Sequence, residues 1–126
     1  MSKNVTTVSD EGYDSTNSTD DFEWTVDATG ETGPDTLEAL LGAYASCYVP
    51  ALRVAAEQRD AGDLGRIQID ADGELNDDDK LASVLFDVGV DPELDEETAN
   101  AVIDRANELC KVHDAVKPQL HADISL

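Results

Sequence analysis

Ile67-Gln68-Ile69-Asp70-Ala71-Asp72-Gly73-Glu74-Leu75, then Asn76 to Lys80, then Leu81-Ala82-Ser83-Val84-Leu85-Phe86-Asp87-Val88-Gly89-Val90, is the stretch that decides the fold. In the first arm Ile67, Ile69, Ala71 and Leu75 alternate with Gln68, Asp70, Asp72 and Glu74. In the second, Val84, Phe86, Val88 and Val90 repeat the alternation. A period of two sends successive side chains to opposite faces, so the arms read as an antiparallel strand pair with one apolar and one wet face, turning at 76–80.

Working backward, Gly33-Pro34 opens a helix over roughly 34–60, because proline suits a first helical turn. Asp35-Thr36-Leu37-Glu38 has the form of a capping box with Asp35 as the cap. Leu37, Leu41, Tyr44, Tyr48, Leu52 and Ala55 follow helical spacing and mark one apolar face, and Gly62 suits termination. Before this helix, residues 1–33 are rich in Ser, Thr and acids, with Lys3 the one basic residue. Two strand signals stand out there: Val5 to Val8, and Phe22, Trp24 and Val26 alternating with Glu23, Thr25 and Asp27. A β-hairpin is expected, with Asp10 to Asp21 as a solvated connecting loop.

Working forward, a second helix is expected over roughly 95–111, capped by Asp95 and with Glu96 and Glu97 at its positive end. Its buried stripe is Ala99, Val102, Ile103, Ala106 and Cys110. After Lys117-Pro118, the tail Leu120, Ala122, Ile124 and Leu126 alternates as a closing strand. The order β, β, α, β, β, α, β defines an α+β protein. One domain over 1–126 is expected, its first 21 residues polar and partly flexible.

The chain holds 29 Asp plus Glu against 8 Lys plus Arg, net charge −21. Nucleic acid is excluded as a partner, because phosphate binding requires cations, and anionic membrane surfaces are disfavoured. Apolar residues make up 40% of the chain, enough for a core, so this acidity reads as salt adaptation rather than disorder. At molar salt the Debye length falls to roughly 3 Å and self-repulsion is screened. Met1 to Asp10 lacks a signal-like apolar region, and no stretch is expected to span a membrane. A cytoplasmic, halophilic protein is the expectation.

Two cysteines lie with 62 residues between them. They are either two packed thiols or a redox couple, since structural disulfides are uncommon in the cytosol. Cys47 follows the small residues Gly42, Ala43, Ala45 and Ser46, and Pro50 comes three residues later. A proline there removes its bond to the Ser46 carbonyl, so a kink is expected. A helix restarting near Cys47 would lower the thiol's pKa. Cys110 falls at a helix C-terminus, where the dipole disfavours a thiolate, offset in part by Lys111 and His113. The asymmetry suggests that Cys47 attacks and Cys110 resolves the oxidised product. A Cys110/His113 metal site lacks further ligands, so no metal is expected. His121 reads as an exposed strand residue.

Leu37-Glu38-Ala39-Leu40-Leu41-Gly42-Ala43-Tyr44-Ala45-Ser46-Cys47 resembles the helical cysteine stretch of the OsmC/Ohr (osmotically inducible protein C / organic hydroperoxide resistance) family. Gly33-Pro34 resembles the start of the same helix, and Glu108-Leu109-Cys110-Lys111-Val112-His113 the second-cysteine motif. The likeness spans about residues 33–126, and the acidic composition suggests a haloarchaeal type.

The resemblance implies an OsmC-like α+β subunit, with an antiparallel sheet and two main helices, intertwined in a homodimer. It implies reduction of organic hydroperoxides through Cys47 and Cys110, regeneration by a dithiol of lipoyl type, and no metal or other cofactor. Glu38 resembles the family's active-site glutamate, which pairs with an arginine from the N-terminal region. On an ideal helix Glu38 would stand about 13 Å from Cys47 and half a turn round. Residues 1–52 hold no arginine, and the first, Arg53, is a candidate substitute beside Lys3 or a partner-subunit residue. Tyr44 and Tyr48 are candidates to border a substrate pocket. The alternative is a non-catalytic OsmC-like dimer binding a small apolar ligand or a partner protein, or simply a structural thiol pair.

Overall fold

The computed structural model describes all 126 residues and divides into two compact units, Met1–Leu40 and Leu41–Leu126.

In the first unit, β1 (Thr6–Val8), β2 (Asp14–Ser18) and β3 (Glu23–Asp27) form an antiparallel meander. The segment expected as a solvated loop therefore contains the central strand. Asp14-Ser15-Thr16-Asn17-Ser18 has no apolar alternation, and backbone pairing on both edges holds it, with Thr16 opposite Val8 and Thr25. At the end of β3 the buried Asp27 carboxylate accepts hydrogen bonds from the amides and hydroxyls of Thr29 and Thr32, at 2.8–3.0 Å. The Thr29 amide leads the set of bonds that hold this carboxyl well below the usual carboxylate range. Gly33 passes the Thr25 carbonyl so closely that an added Cβ would meet its oxygen at 2.7 Å. The capping box forms as expected: Glu38 N donates to Asp35 Oδ1 at 2.8 Å and Asp35 N to Glu38 Oε1 at 2.9 Å.

Helix α1 runs unbroken over Thr36–Gln58 with Pro50 inside it. The helix does not restart near Cys47. A mid-helix proline removes one hydrogen bond, but Tyr48, Ala51 and Leu52 on either side of it are buried and anchor both halves. By length and composition α1 could also cross a membrane, contrary to the expectation that no stretch would span one. Here its Tyr44, Tyr48, Ala51, Leu52, Ala55 and Ala56 side is buried in the core.

In the second unit, β4 (Gln68–Leu75) and β5 (Leu81–Gly89) form the expected antiparallel pair, with Ile69 opposite Val88 and Ala71 opposite Phe86. The turn is held by Asn76 Oδ1, which accepts from the amides of Asp78 and Lys80, while Asp79 adopts a left-handed conformation at φ 61°. Val84, Phe86 and Val88 are the buried face of β5. Phe86 meets Tyr44 and Tyr48 edge-on, with ring centroids 4.7 and 5.6 Å away. The closing strand β6 is short, Asp123–Ser125, and pairs parallel to β5. The resemblance implied an antiparallel sheet; β4–β5 is antiparallel but β6 joins in parallel, because alternation assigns a strand's face and not its direction.

Helix α2 (Glu96–Leu109) starts where expected, with Asp95 Oδ1 accepting from Thr98 N at 2.7 Å. It packs Val102 and Ala106 into the core. It does not continue through Cys110, whose extended backbone (φ −73°, ψ 112°) separates it from a short helix α3, Lys111–Ala115.

Candidate active site

Cys47 lies half-buried on α1, and Cys110 is buried at the α2–α3 junction, 1% exposed. Both thiols are free. The fold brings together these two side chains from distant parts of the sequence, close enough for each thiol to shift the pKa of the other.

Their surroundings differ. Burial pushes the Cys47 thiol up, but the Val112 amide, the Cys110 thiol, the Lys111 amide and the Lys111 ammonium together outweigh it, and the thiol lies below its ordinary value. Burial also pushes Cys110 up; the His113 amide, donating to its sulfur at 3.4 Å, opposes this, but the neighbouring Cys47 adds to it, and the thiol ends above its ordinary value. The expected asymmetry is present with a different cause. The amides that favour the Cys47 thiolate belong to α3, not to a restart of Cys47's own helix. Cys110 caps α3 with its side chain as well as ending α2.

Cys47 opens onto a pocket of about 340 Å³ lined by Pro50, Ala51, Val54, Leu109 and Lys111. Cys47, Pro50, Ala51 and Val54 recur at helical spacing, which puts them on one face of α1. The adjoining Tyr44–Tyr48–Leu52 face, which the aromatic spacing marks in the sequence, packs into the core. Leu109 and Lys111 complete the lining from the α2–α3 junction, where the backbone leaves α2 at Cys110.

The other sequence candidates sit elsewhere. The Tyr44 hydroxyl accepts from the buried Ala122 amide at 2.9 Å and is also hydrogen-bonded to His113 Nδ1. The Tyr48 hydroxyl donates to Asn107 Oδ1 at 2.8 Å. Neither tyrosine lines the Cys47 pocket. Burial raises both phenols above their ordinary value. Arg53 donates to the Gly65 carbonyl at 2.8 Å and borders a different cleft, with Glu57, Asp60 and Asp63. Glu38 is engaged with the Asp35 amide. His121 lies outside β6 and stacks on His113, ring centroids 4.0 Å apart. Burial, then the neighbouring His121, hold His113 below its ordinary value, against Asp114.

Comparison with known proteins places these features in a wider set. A family model described as OsmC-like protein matches residues 28–125. An uncharacterized protein of Haloferax volcanii is 41% identical over 122 residues, covering 97% of this chain and 92% of that protein. The crystal structure of an OsmC like protein from Mycoplasma pneumoniae superposes with a TM-score of 0.85 at 20% identity, over 99% of this chain and 95% of that one. The organic hydroperoxide resistance protein OhrB of Bacillus subtilis superposes with a TM-score of 0.72 at 20% identity, over 98% of each chain.

Proposed function

Because this chain belongs to the OsmC-like protein family, we propose that it is a thiol peroxidase that reduces organic hydroperoxides, with Cys47 attacking and Cys110 resolving. One observation carries the reading: a half-exposed thiol held below its ordinary pKa, with a second, buried thiol near enough to shift it and a mostly apolar pocket beside it. The fold shared with a protein named for organic hydroperoxide resistance supports it.

In this reaction the Cys47 thiolate attacks the terminal peroxide oxygen. An S–O bond forms, the O–O bond breaks, and the sulfur is oxidised to a sulfenic acid while the alkoxide leaves and takes a proton from water. Cys110 then attacks the Cys47 sulfur. The S–O bond gives way to an S–S bond, and the sulfenic oxygen leaves as water with the Cys110 proton. A dithiol of lipoyl type reduces the disulfide by exchange and is itself oxidised. Tyr44 and Tyr48 brace α1 from the core side, and Glu38 remains the candidate orienting acid.

The protein works as a homodimer in the cytoplasm of a salt-adapted cell. Family membership, the net charge of −21 and the exposed apolar side chains Trp24, Val54 and Leu85 support this; light scattering in molar KCl measures the dimer.

The peroxidase test is consumption of cumene hydroperoxide in molar KCl with dihydrolipoate, by wild type, Cys47→Ser and Cys110→Ser. Repeated turnover by wild type, none by Cys47→Ser and a single turnover by Cys110→Ser are expected. Equal rates in all three overturn the reading. They would favour the alternative, an OsmC-like dimer that binds a small apolar ligand or partner without chemistry. Its specific support is that the first arginine, Arg53, is turned to the Gly65 carbonyl.

A further inference from the structure

Lys111 directly follows Cys110 and begins α3. Among the residues that line the pocket with Cys47, it alone is charged; Pro50, Ala51, Val54 and Leu109 are apolar. Lys111 takes no part in the ion pair of the chain, Arg105 with Glu108. The nearby cations of α1 and α2 are engaged elsewhere, Arg53 on the Gly65 carbonyl and Arg105 on Gln58 and Glu108. We propose that Lys111, which lines the pocket with Cys47, is the positioning cation of that site, its ammonium holding the thiolate before attack and the departing alkoxide during it.

The proposal rests on the peroxidase reading and adds the residue that answers the charge of its reacting atoms. Negative charge begins on the Cys47 sulfur and moves to the leaving oxygen, so a cation beside the pocket acts on both ends of the displacement. The titratable groups acting on Cys47 are Cys110 and Lys111, and the lysine's charge favours the thiolate. Lys111 is exposed, so its field is screened by salt. Its influence is therefore greatest in dilute buffer and survives in molar salt only at contact range.

The test compares iodoacetate with iodoacetamide as alkylating agents for Cys47 in the Cys110→Ser protein, where one thiol remains and serine keeps a hydrogen-bond donor. The two reagents differ mainly in charge, so the ratio of their rates reads the local potential and is insensitive to general loosening. Lys111→Gln is expected to lower that ratio about threefold or more, the effect of one unit charge near contact in water, and to move the pH midpoint of iodoacetamide alkylation upward. Lys111→Arg restores both, and added KCl shrinks the difference. With both cysteines present, kcat/KM for cumene hydroperoxide falls in Lys111→Gln and recovers in Lys111→Arg. An unchanged ratio and midpoint in Lys111→Gln overturn the assignment while leaving the two-cysteine peroxidase intact. A wild-type protein that prefers iodoacetate yet consumes no peroxide overturns the peroxidase reading, and with it the part of Lys111 in turnover.

Discussion

Oxidation by one equivalent of hydroperoxide should stabilise the protein by an amount that follows from the placement of its two sulfurs. A bond between Cys47 and Cys110 closes a loop with 62 residues between the cysteines, which removes denatured-state entropy worth about 4 kcal/mol. Against this, the Cys110 sulfur gives up the His113 amide it accepts from at 3.4 Å, a cap worth about 1 kcal/mol. The net gain is about 3 kcal/mol by these two terms. For a chain of 126 residues that corresponds to a rise in Tm of about 10 °C. Calorimetry in molar KCl on dithiol-reduced protein, before and after stoichiometric cumene hydroperoxide, measures the shift. Intact mass reports the loss of two hydrogens. A protein that has lost them without gaining stability refutes the loop argument. A shift that persists in Cys47→Ser or Cys110→Ser refutes the pairing.

Further outcomes follow from the same geometry. Cys47 should be alkylated by iodoacetamide at pH values where Cys110 stays unreacted, because the first thiol is lowered and the second raised; peptide mapping that finds Cys110 modified first contradicts this. As an acid with a lowered folded-state pKa, Cys47 stabilises the fold above the ordinary thiol range and loses that contribution as pH falls through its own lower value, which denaturant titration across pH detects. Tyr44→Phe orphans the buried Ala122 amide, now bonded to the hydroxyl at 2.9 Å, and should cost about 1–3 kcal/mol in urea denaturation. Glu38→Ala should lose about 1 kcal/mol of helix-start stability in thermal melts, whereas Glu38→Gln, which keeps an oxygen for the Asp35 amide, loses little; turnover by Glu38→Gln then separates the cap from an orienting acid.

Much of the fold was legible because its signals are local. The Ile67–Val90 alternation yields the β4–β5 pair, and Asp35 with Glu38 yields the start of α1. β2 was hidden because its five residues are polar, and backbone pairing with side-chain bonds of Asn17 with Thr7 and Trp24 holds them rather than an apolar face. The α2–α3 break was hidden because Cys110 continues the apolar stripe of α2 while its backbone leaves the helix. The two cysteines were recognisable as a pair, yet the source of Cys47's acidity was not. It comes from the Val112 amide, the Cys110 thiol and the Lys111 amide and ammonium, and only the fold brings these to residue 47. Likewise the aromatic spacing on α1 marks Tyr44 and Tyr48, which face Phe86, while the adjoining run Cys47, Pro50, Ala51 and Val54 lines the pocket.

The most direct measurement captures the first oxidised species. Cys110→Ser protein, given one equivalent of cumene hydroperoxide in the presence of dimedone and then digested and mapped by mass spectrometry, should carry the sulfenic-acid adduct on Cys47. Peroxide left unconsumed and a Cys47 peptide recovered unmodified would contradict an attacking thiolate at that position.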